Sequence, residues 1–260
     1  YSNVHFGATV NFLAVTGLRL TDVCNLTIKD FMIATKEYHD CNELDDFLAS
    51  APEGMMGYWE LKPNKTKKLN IKCKVCNTPE SSNLILLSLN ERVKFLDNYN
   101  KENGTNLKLT KNDPLFGNRK YQYKEPLAPK SLGTQLGRQK HKIFAEKKRV
   151  LKYQYDKGQI SKETYEEAIE TIPNFHAHGL RKFFITTLAK NRVDVRISAL
   201  MEGHSAPIQT DGHYINDNYL MNAVKDEYLR CVQDFSFEKV EVRFLTSEEK
   251  KKNKEAIESL

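Results

Sequence analysis

Apolar residues recur at helical spacing through residues 5–20, HFGATVNFLAVTGLRL, where Val10, Leu13, Ala14 and Leu18 fall on one side and Gly17 tightens the end. Thr21 is placed to cap a second helix that carries Val23, Cys24 and Leu26 inward. From residue 30 to 57 the text turns irregular and acidic, which predicts loop with one short helix near 44–48. In YWELKPNKTKKLNIKC the period changes to two. Tyr58, Glu60 and Lys62 alternate with Trp59 and Leu61, Pro63 and Asn64 interrupt, and Leu69, Ile71 and Cys73 resume the alternation. That pattern predicts a β-hairpin with Lys65, Lys67 and Lys68 at its tip.

A helix opened by Thr78, Pro79 and Glu80 follows, with Leu84, Leu87, Val93 and Leu96 among its expected buried positions. Residues 103–130 are rich in Asn, Gly, Pro and Lys and read as a long surface loop around Pro114, Leu115 and Phe116. A helix is expected from 131 to about 155, anchored by Phe144, Val150 and Leu151 and carrying seven cations: Arg138, Lys140, Lys142, Lys147, Lys148, Arg149 and Lys152. Asp156, Lys157 and Gly158 break it, and Ser161 caps a short acidic helix, so the two form a helical hairpin. It leads into HAHGLRKFFITTL, one further apolar helix. The expected class is α+β, mostly α-helical, with one small antiparallel hairpin.

Composition adds modest constraints. With 260 residues and 40% hydrophobic content the chain can bury a substantial core, and one domain with at most a small appendage is expected. A net charge of +6 has the sign that suits a polyanionic partner without requiring one. Absence of a long apolar run or of a signal-peptide layout argues against a membrane span and for a soluble, cytoplasmic protein. Five scattered cysteines imply no disulfide framework. Cys73 and Cys76 are half of a zinc site at most, since no second ligand pair follows. A helix-like text that starts almost at Tyr1 suggests a fragment with something upstream, and residues 247–260 are too charged for core and read as a disordered tail.

The chemistry concentrates between residues 176 and 214, where an H-x-x-R (His178, Arg181), a Gly-His pair (Gly203, His204) and Tyr214 gather around one apolar helix. Breaking a phosphodiester with a hydroxyl needs charge neutralisation on the non-bridging oxygens, an in-line nucleophile and a proton for the leaving oxygen. Arg19 and Arg181 suit the first task, because a guanidinium offers a rigid fork of donors matched to phosphate. His178, His204 and Lys65 are candidates for proton transfer. Tyrosine, with an ordinary pKa of about 10, becomes a competent nucleophile only where cations favour the phenolate.

These residues resemble a known family. TGLRLTD (16–22), Lys65-Thr66 at a hairpin tip, HGLRKFF (178–184), EGH (202–204) and a following tyrosine are similar to the catalytic domain of tyrosine recombinases, the λ-integrase type. The surrounding wording is most like integrases of archaeal viruses, plasmids and mobile elements. The resemblance covers about residues 5–246 and implies a catalytic domain over 1–246, with an upstream DNA-clamping domain not included in this chain. It implies Arg19, Lys65, His178, Arg181 and His204 as catalytic residues, His204 standing 23 residues after Arg181 as the family interval has it. The nucleophile usually follows nine residues later, at His213 here, so Tyr214 requires one extra residue in the loop; Tyr219 and Tyr228 are the rivals. Lys62, Lys67 and Lys68 could take the place of Lys65 if the hairpin register shifts.

What the resemblance further implies is a DNA strand transferase, needing neither metal nor nucleotide cofactor, that works through a 3′-phosphotyrosyl bond. Its expected partners are double-stranded DNA at a recombination site and copies of itself in a synaptic tetramer, with residues 216–246 docking on a neighbour and an association with the nucleoid. Lys67, Lys68, Arg138, Lys140, Lys142, Lys148 and Arg149 are the expected DNA contacts. Two other readings stay open: a metal-dependent nuclease or hydrolase ligated by His176, His178, His204 and His213, and a DNA-binding module without catalysis.

Overall fold

The computed structural model describes residues 2–65, 72–170, 175–204 and 217–236. In chain order the helices are α1 (Ser2–Thr16), α2 (Leu20–Cys24), α3 (Ile28–Ala34), α4 (Leu44–Ser50), α5 (Pro79–Asn103), α6 (Pro129–Asp156), α7 (Lys162–Glu170), α8 (Ala177–Lys190), α9 (Val195–Glu202) and α10 (Asp217–Phe235). The strands are β1 (Tyr58–Leu61) and β2 (Cys73–Cys76), paired antiparallel from Tyr58 with Cys76 to Leu61 with Cys73. The described chain is therefore mostly helical with one small antiparallel sheet, an α+β arrangement.

Helix α1 is the centre of the core. Its second half is buried nearly all round, with Phe12, Leu13, Ala14 and Val15 in the core and Thr9, Asn11 and Thr16 buried beside them. It packs against α5, α8 and β2, and the Phe12 ring meets Trp59 of β1 at 5.0 Å and Phe116 at 5.4 Å. Helix α10 closes the opposite side over α8, α9 and β2, burying Val224, Tyr228, Cys231, Val232 and Phe235. The Tyr228 hydroxyl donates to the carbonyl of Val15 at 2.8 Å, fully buried, so this rival for the nucleophile is a core residue. Residues 217–235 of the segment expected to dock on a neighbour form α10. No described helix is long and apolar enough to cross a membrane.

Four expectations need correction. Residues 30–57 hold a further helix, α3, opened by a capping box: Asp30 N–H donates to the Thr27 hydroxyl and the Asp30 carboxylate accepts from Thr27 N–H at 2.8 Å. The second strand is Cys73–Cys76 rather than the alternating run ending at Cys73; Leu69 and Ile71 lie outside the described residues. All four of its residues are buried, because α9 and α10 cover it along with α1, and a strand covered on both faces shows no alternation. On α5 the buried stripe runs through Ser81, Ser82, Ile85, Ser88, Leu89, Arg92 and Leu96, while Leu87 is 47% exposed. Small serines there let α1 approach closely. Finally, residues 103–130 are packed. Leu115, Phe116 and Tyr123 are buried, and the fully buried Arg92 guanidinium donates to the carbonyls of Pro114 and Leu115.

The helical hairpin α6–α7 is present, with Ser161 accepting from Thr164 N–H and the Tyr155 and Tyr165 rings stacked at 5.2 Å. Its anchorage differs from the expected one. Only Leu132 and Leu136 of α6 are buried, whereas Val150 is 44% exposed. At 100° per residue the seven cations do not share a face: Arg138, Lys142, Arg149 and Lys152 line one side and Lys140 and Lys147 the opposite one. Arg149 is already paired with Glu146, and the Lys148 ammonium sits 4.6 Å from the Phe144 ring centre.

Candidate functional site

Three stretches far apart in sequence meet at Arg181. The first is the end of α1. Gly17 terminates it in the left-handed conformation at φ +59°, its N–H bonded to Leu13 O, and a Cβ there would lie 2.2 Å from Cδ1 of Phe184. Phe184 is on α8 one turn beyond Arg181, so the missing Cβ lets α8 seat against the end of α1. This contact brings the Arg181 Nη1 donor onto the Gly17 carbonyl. Two residues on, Arg19 is the extended N-cap residue of α2, with its guanidinium free of hydrogen-bond and ion-pair partners among the described residues.

The second stretch is the connection between β1 and β2. Asp22 of α2 accepts from Asn64 N–H at 2.9 Å, which ties α2 to the turn carrying Lys65. Lys65 itself is exposed. The third stretch is the end of α9, where Gly203 adopts φ +63° and His204 N–H reaches back to Ala199 O at 3.0 Å, the Schellman closure of a helix. A Cβ on Gly203 would come within 3.1 Å of Cys73 and of Pro63, so this turn lies directly on the hairpin. Two carbonyls that the helix end leaves open are used as anchors: Met201 O accepts from the Cys73 thiol at 3.1 Å and Glu202 O from Arg181 Nη2 at 2.7 Å.

His204 is positioned by these bonds. Its Nε2 lies 3.3 Å from Arg181 Nη2 and its Nδ1 3.2 Å from the Glu202 carboxylate. Electrostatically the site is cationic. Burial, and after it the charge of Arg19, pulls Arg181 below the ordinary guanidinium range. The imidazole of His204 is also lowered, first by desolvation and then by Arg181, Arg19 and Lys65, with Glu202 opposing them. Cys73 lies beneath, its thiol pushed up to about 12 by burial, and stays a protonated donor.

Of the expected catalytic residues, Arg19, Lys65 and Arg181 therefore lie within electrostatic reach of His204, and Arg19 within reach of Arg181. His178 is on the first turn of α8, exposed, one turn before Arg181, and its ring lies parallel to that of His176 at 6.4 Å. Tyr214, Lys67 and Lys68 lie outside the described residues, while Tyr219, at the start of α10, is 65% exposed. Arg138, Lys140, Lys142, Lys148 and Arg149 are on α6, which packs against α2 and buries Leu132 and Leu136. Glu202 was not singled out from sequence, although it stands inside the motif EGH, and Cys73 was considered only as half of a zinc site.

For the metal reading, His176 is the N-cap of α8, with Nδ1 accepting from Gly179 N–H at 3.0 Å, and His204 is engaged by Glu202 and Arg181. Among the described residues no three His, Cys, Asp or Glu side chains come together as a metal site. Cys73 and Cys76, three apart on a strand, point to opposite faces. Comparison with protein-family models, with curated proteins and with solved structures finds no match.

Proposed function

We propose that this chain is a tyrosine-type DNA strand transferase, a recombinase or integrase that cuts and rejoins duplex DNA through a 3′-phosphotyrosyl intermediate. The observation that carries the reading is the convergence of Arg19, Lys65 and Arg181 on His204, four cationic or proton-carrying groups from four separate stretches of the chain. A phosphodiester seated there meets two guanidiniums whose donors match its non-bridging oxygens, and their charge counters the charge that builds up in the transition state. Arg181 is held by two backbone carbonyls, so its free edge is oriented before substrate arrives.

In this reading Tyr214, its phenol proton released to solvent under the influence of the cations, attacks the phosphorus in line as the phenolate, the bond to the 5′ oxygen breaks, and Lys65 protonates that oxygen. The covalent bond conserves the phosphodiester energy, and a partner strand's hydroxyl reverses the step. His178 and His204 complete the hydrogen bonding of the phosphate. The duplex also lies along the Arg138, Lys142 and Arg149 side of α6, and four copies bring two sites together.

The test is a nicked suicide duplex incubated with the protein in excess EDTA and run on a denaturing gel. A covalent protein–DNA adduct is expected, and Tyr214→Phe should abolish it. If EDTA abolishes the adduct, a metal enzyme replaces this reading. An adduct that survives Tyr214→Phe but is lost with Tyr219→Phe moves the nucleophile to Tyr219.

A further inference from the structure

Glu202 is not needed to cap α9, whose end is closed by Gly203 and the backbone. Its side chain is nonetheless tightly placed, 13% exposed, between two partners. Ser198, one turn earlier on α9, donates from Oγ to Glu202 Oε1 at 2.8 Å, and Oε2 faces His204 Nδ1 at 3.2 Å. On the other side of the ring, Nε2 faces Arg181 Nη2 at 3.3 Å. A guanidinium can only donate, so in the free protein Nε2 is the bare nitrogen and Nδ1 carries the proton toward the carboxylate.

We propose that Glu202, steadied by Ser198, is the positioning residue that fixes this tautomer of His204, and that anion binding draws one proton from solvent onto His204 Nε2. The inference deepens the strand-transferase reading and rests on it for the identity of the anion, a DNA phosphate. Its chemistry is simple. A phosphate oxygen that enters between Arg181 and His204 takes a bond from Arg181, but a bare Nε2 would present a lone pair to it. Only an imidazolium donates from both nitrogens, one bond to Glu202 and one to the oxygen. The groups that face His204 are Glu202 on α9, Arg181 on α8, Arg19 ahead of α2 and Lys65 between the strands. The three cations disfavour the extra proton, and Glu202 together with the arriving anion favours it.

The test follows the His204 ring by NMR across a pH titration of the intact protein without DNA, with and without sulfate, a tetrahedral anion that does not itself titrate near neutral pH. Sulfate should raise the midpoint of His204, and sulfate affinity should fall by as much as about tenfold per pH unit above it, the slope of one linked proton. Glu202→Gln should lower the midpoint in the free protein, Ser198→Ala should lower it less, and Glu202→Asp should restore part of the loss. A His204 midpoint unmoved by sulfate at high concentration overturns the proton uptake. A midpoint unchanged in Glu202→Gln, with the rest of the spectrum intact, overturns the role of Glu202. Since no DNA is present, these results stand apart from the adduct assay. Shifts as described with no adduct from the wild-type protein would leave the Glu202–His204 pair in place and remove the strand-transferase reading.

Discussion

Replacing Gly17 by alanine tests how the site is assembled. Two costs add. The residue is left-handed at φ +59°, where an L side chain costs about 1–2 kcal/mol. The new Cβ would also stand 2.2, 2.6 and 2.9 Å from Cδ1, Cγ and Cβ of Phe184, whose ring is fully buried and stacked on Phe235 at 5.2 Å, so it cannot swing aside. Overpacking of this kind costs about 1–3 kcal/mol. The sum is about 3 kcal/mol, a large share of the roughly 5–15 kcal/mol that holds an ordinary domain together. For a chain of this length that is a fall of about 6–12 °C in Tm. Urea denaturation of the wild type, Gly17→Ala, Phe184→Ala and the double variant reads it directly. Phe184→Ala removes two of the three overlapping atoms, so in that background Gly17→Ala should cost only the left-handed strain, a coupling of about 2 kcal/mol. A cost below about 1 kcal/mol, or equal costs in both backgrounds, would refute the claim that this glycine exists to seat α8.

Two further outcomes follow from buried and exposed charge. His5 is held between the Ser88 hydroxyl at 2.7 Å and the Tyr123 hydroxyl at 2.9 Å, and burial, with the charges of Arg92 and Arg119 adding to it, pulls its pKa down to about 4. The unfolded chain takes up that proton near 6.5, so stability present above pH 6.5 is lost as pH falls toward 4. The loss attributable to His5 is about 1–2 kcal/mol after allowing for solvent screening of a partly exposed ring. Urea midpoints at pH 7.5 and 4.5 should show it in the wild type, and His5→Gln should reduce the difference; an equal pH dependence in both refutes the assignment. On α6, Arg138, Lys142 and Arg149 share a side, and replacing all three by alanine should lower the salt dependence of duplex binding by about three in log–log slope if they contact phosphates. An unchanged slope removes this helix from the DNA interface.

The residues of the candidate site were legible because they stand in short motifs whose glycines have local duties. Gly17 and Gly203 both end helices in the left-handed conformation, and each fixes the direction of the Arg or His that follows. Helix α3 was missed: the Thr27–Asp30 box that opens it is a local signal, but its irregular, acidic surroundings read as loop. The hairpin was readable as a hairpin but not in its register, since alternation pointed to a strand ending at Cys73 and burial from both sides selected Cys73–Cys76.

What the sequence determined by itself, then, is local: periodicity wherever one face of an element is buried and the other wet, caps and turns wherever a backbone group needs a partner nearby. Only the tertiary structure decided the rest, because the deciding contacts join residues with no local relation. Arg92 is buried because two carbonyls of a distant segment need its donors. The expected anchors of α6 stay partly exposed because the body buries Leu132 and Leu136 at the start of the helix instead. Arg181 joins the candidate site by bonding Gly17, 164 residues away, and the end of α9 is tied to it through the Glu202 carbonyl, 21 residues further on. Such pairings follow from how the helices close around α1, a property of the whole packed chain that no window of its sequence contains.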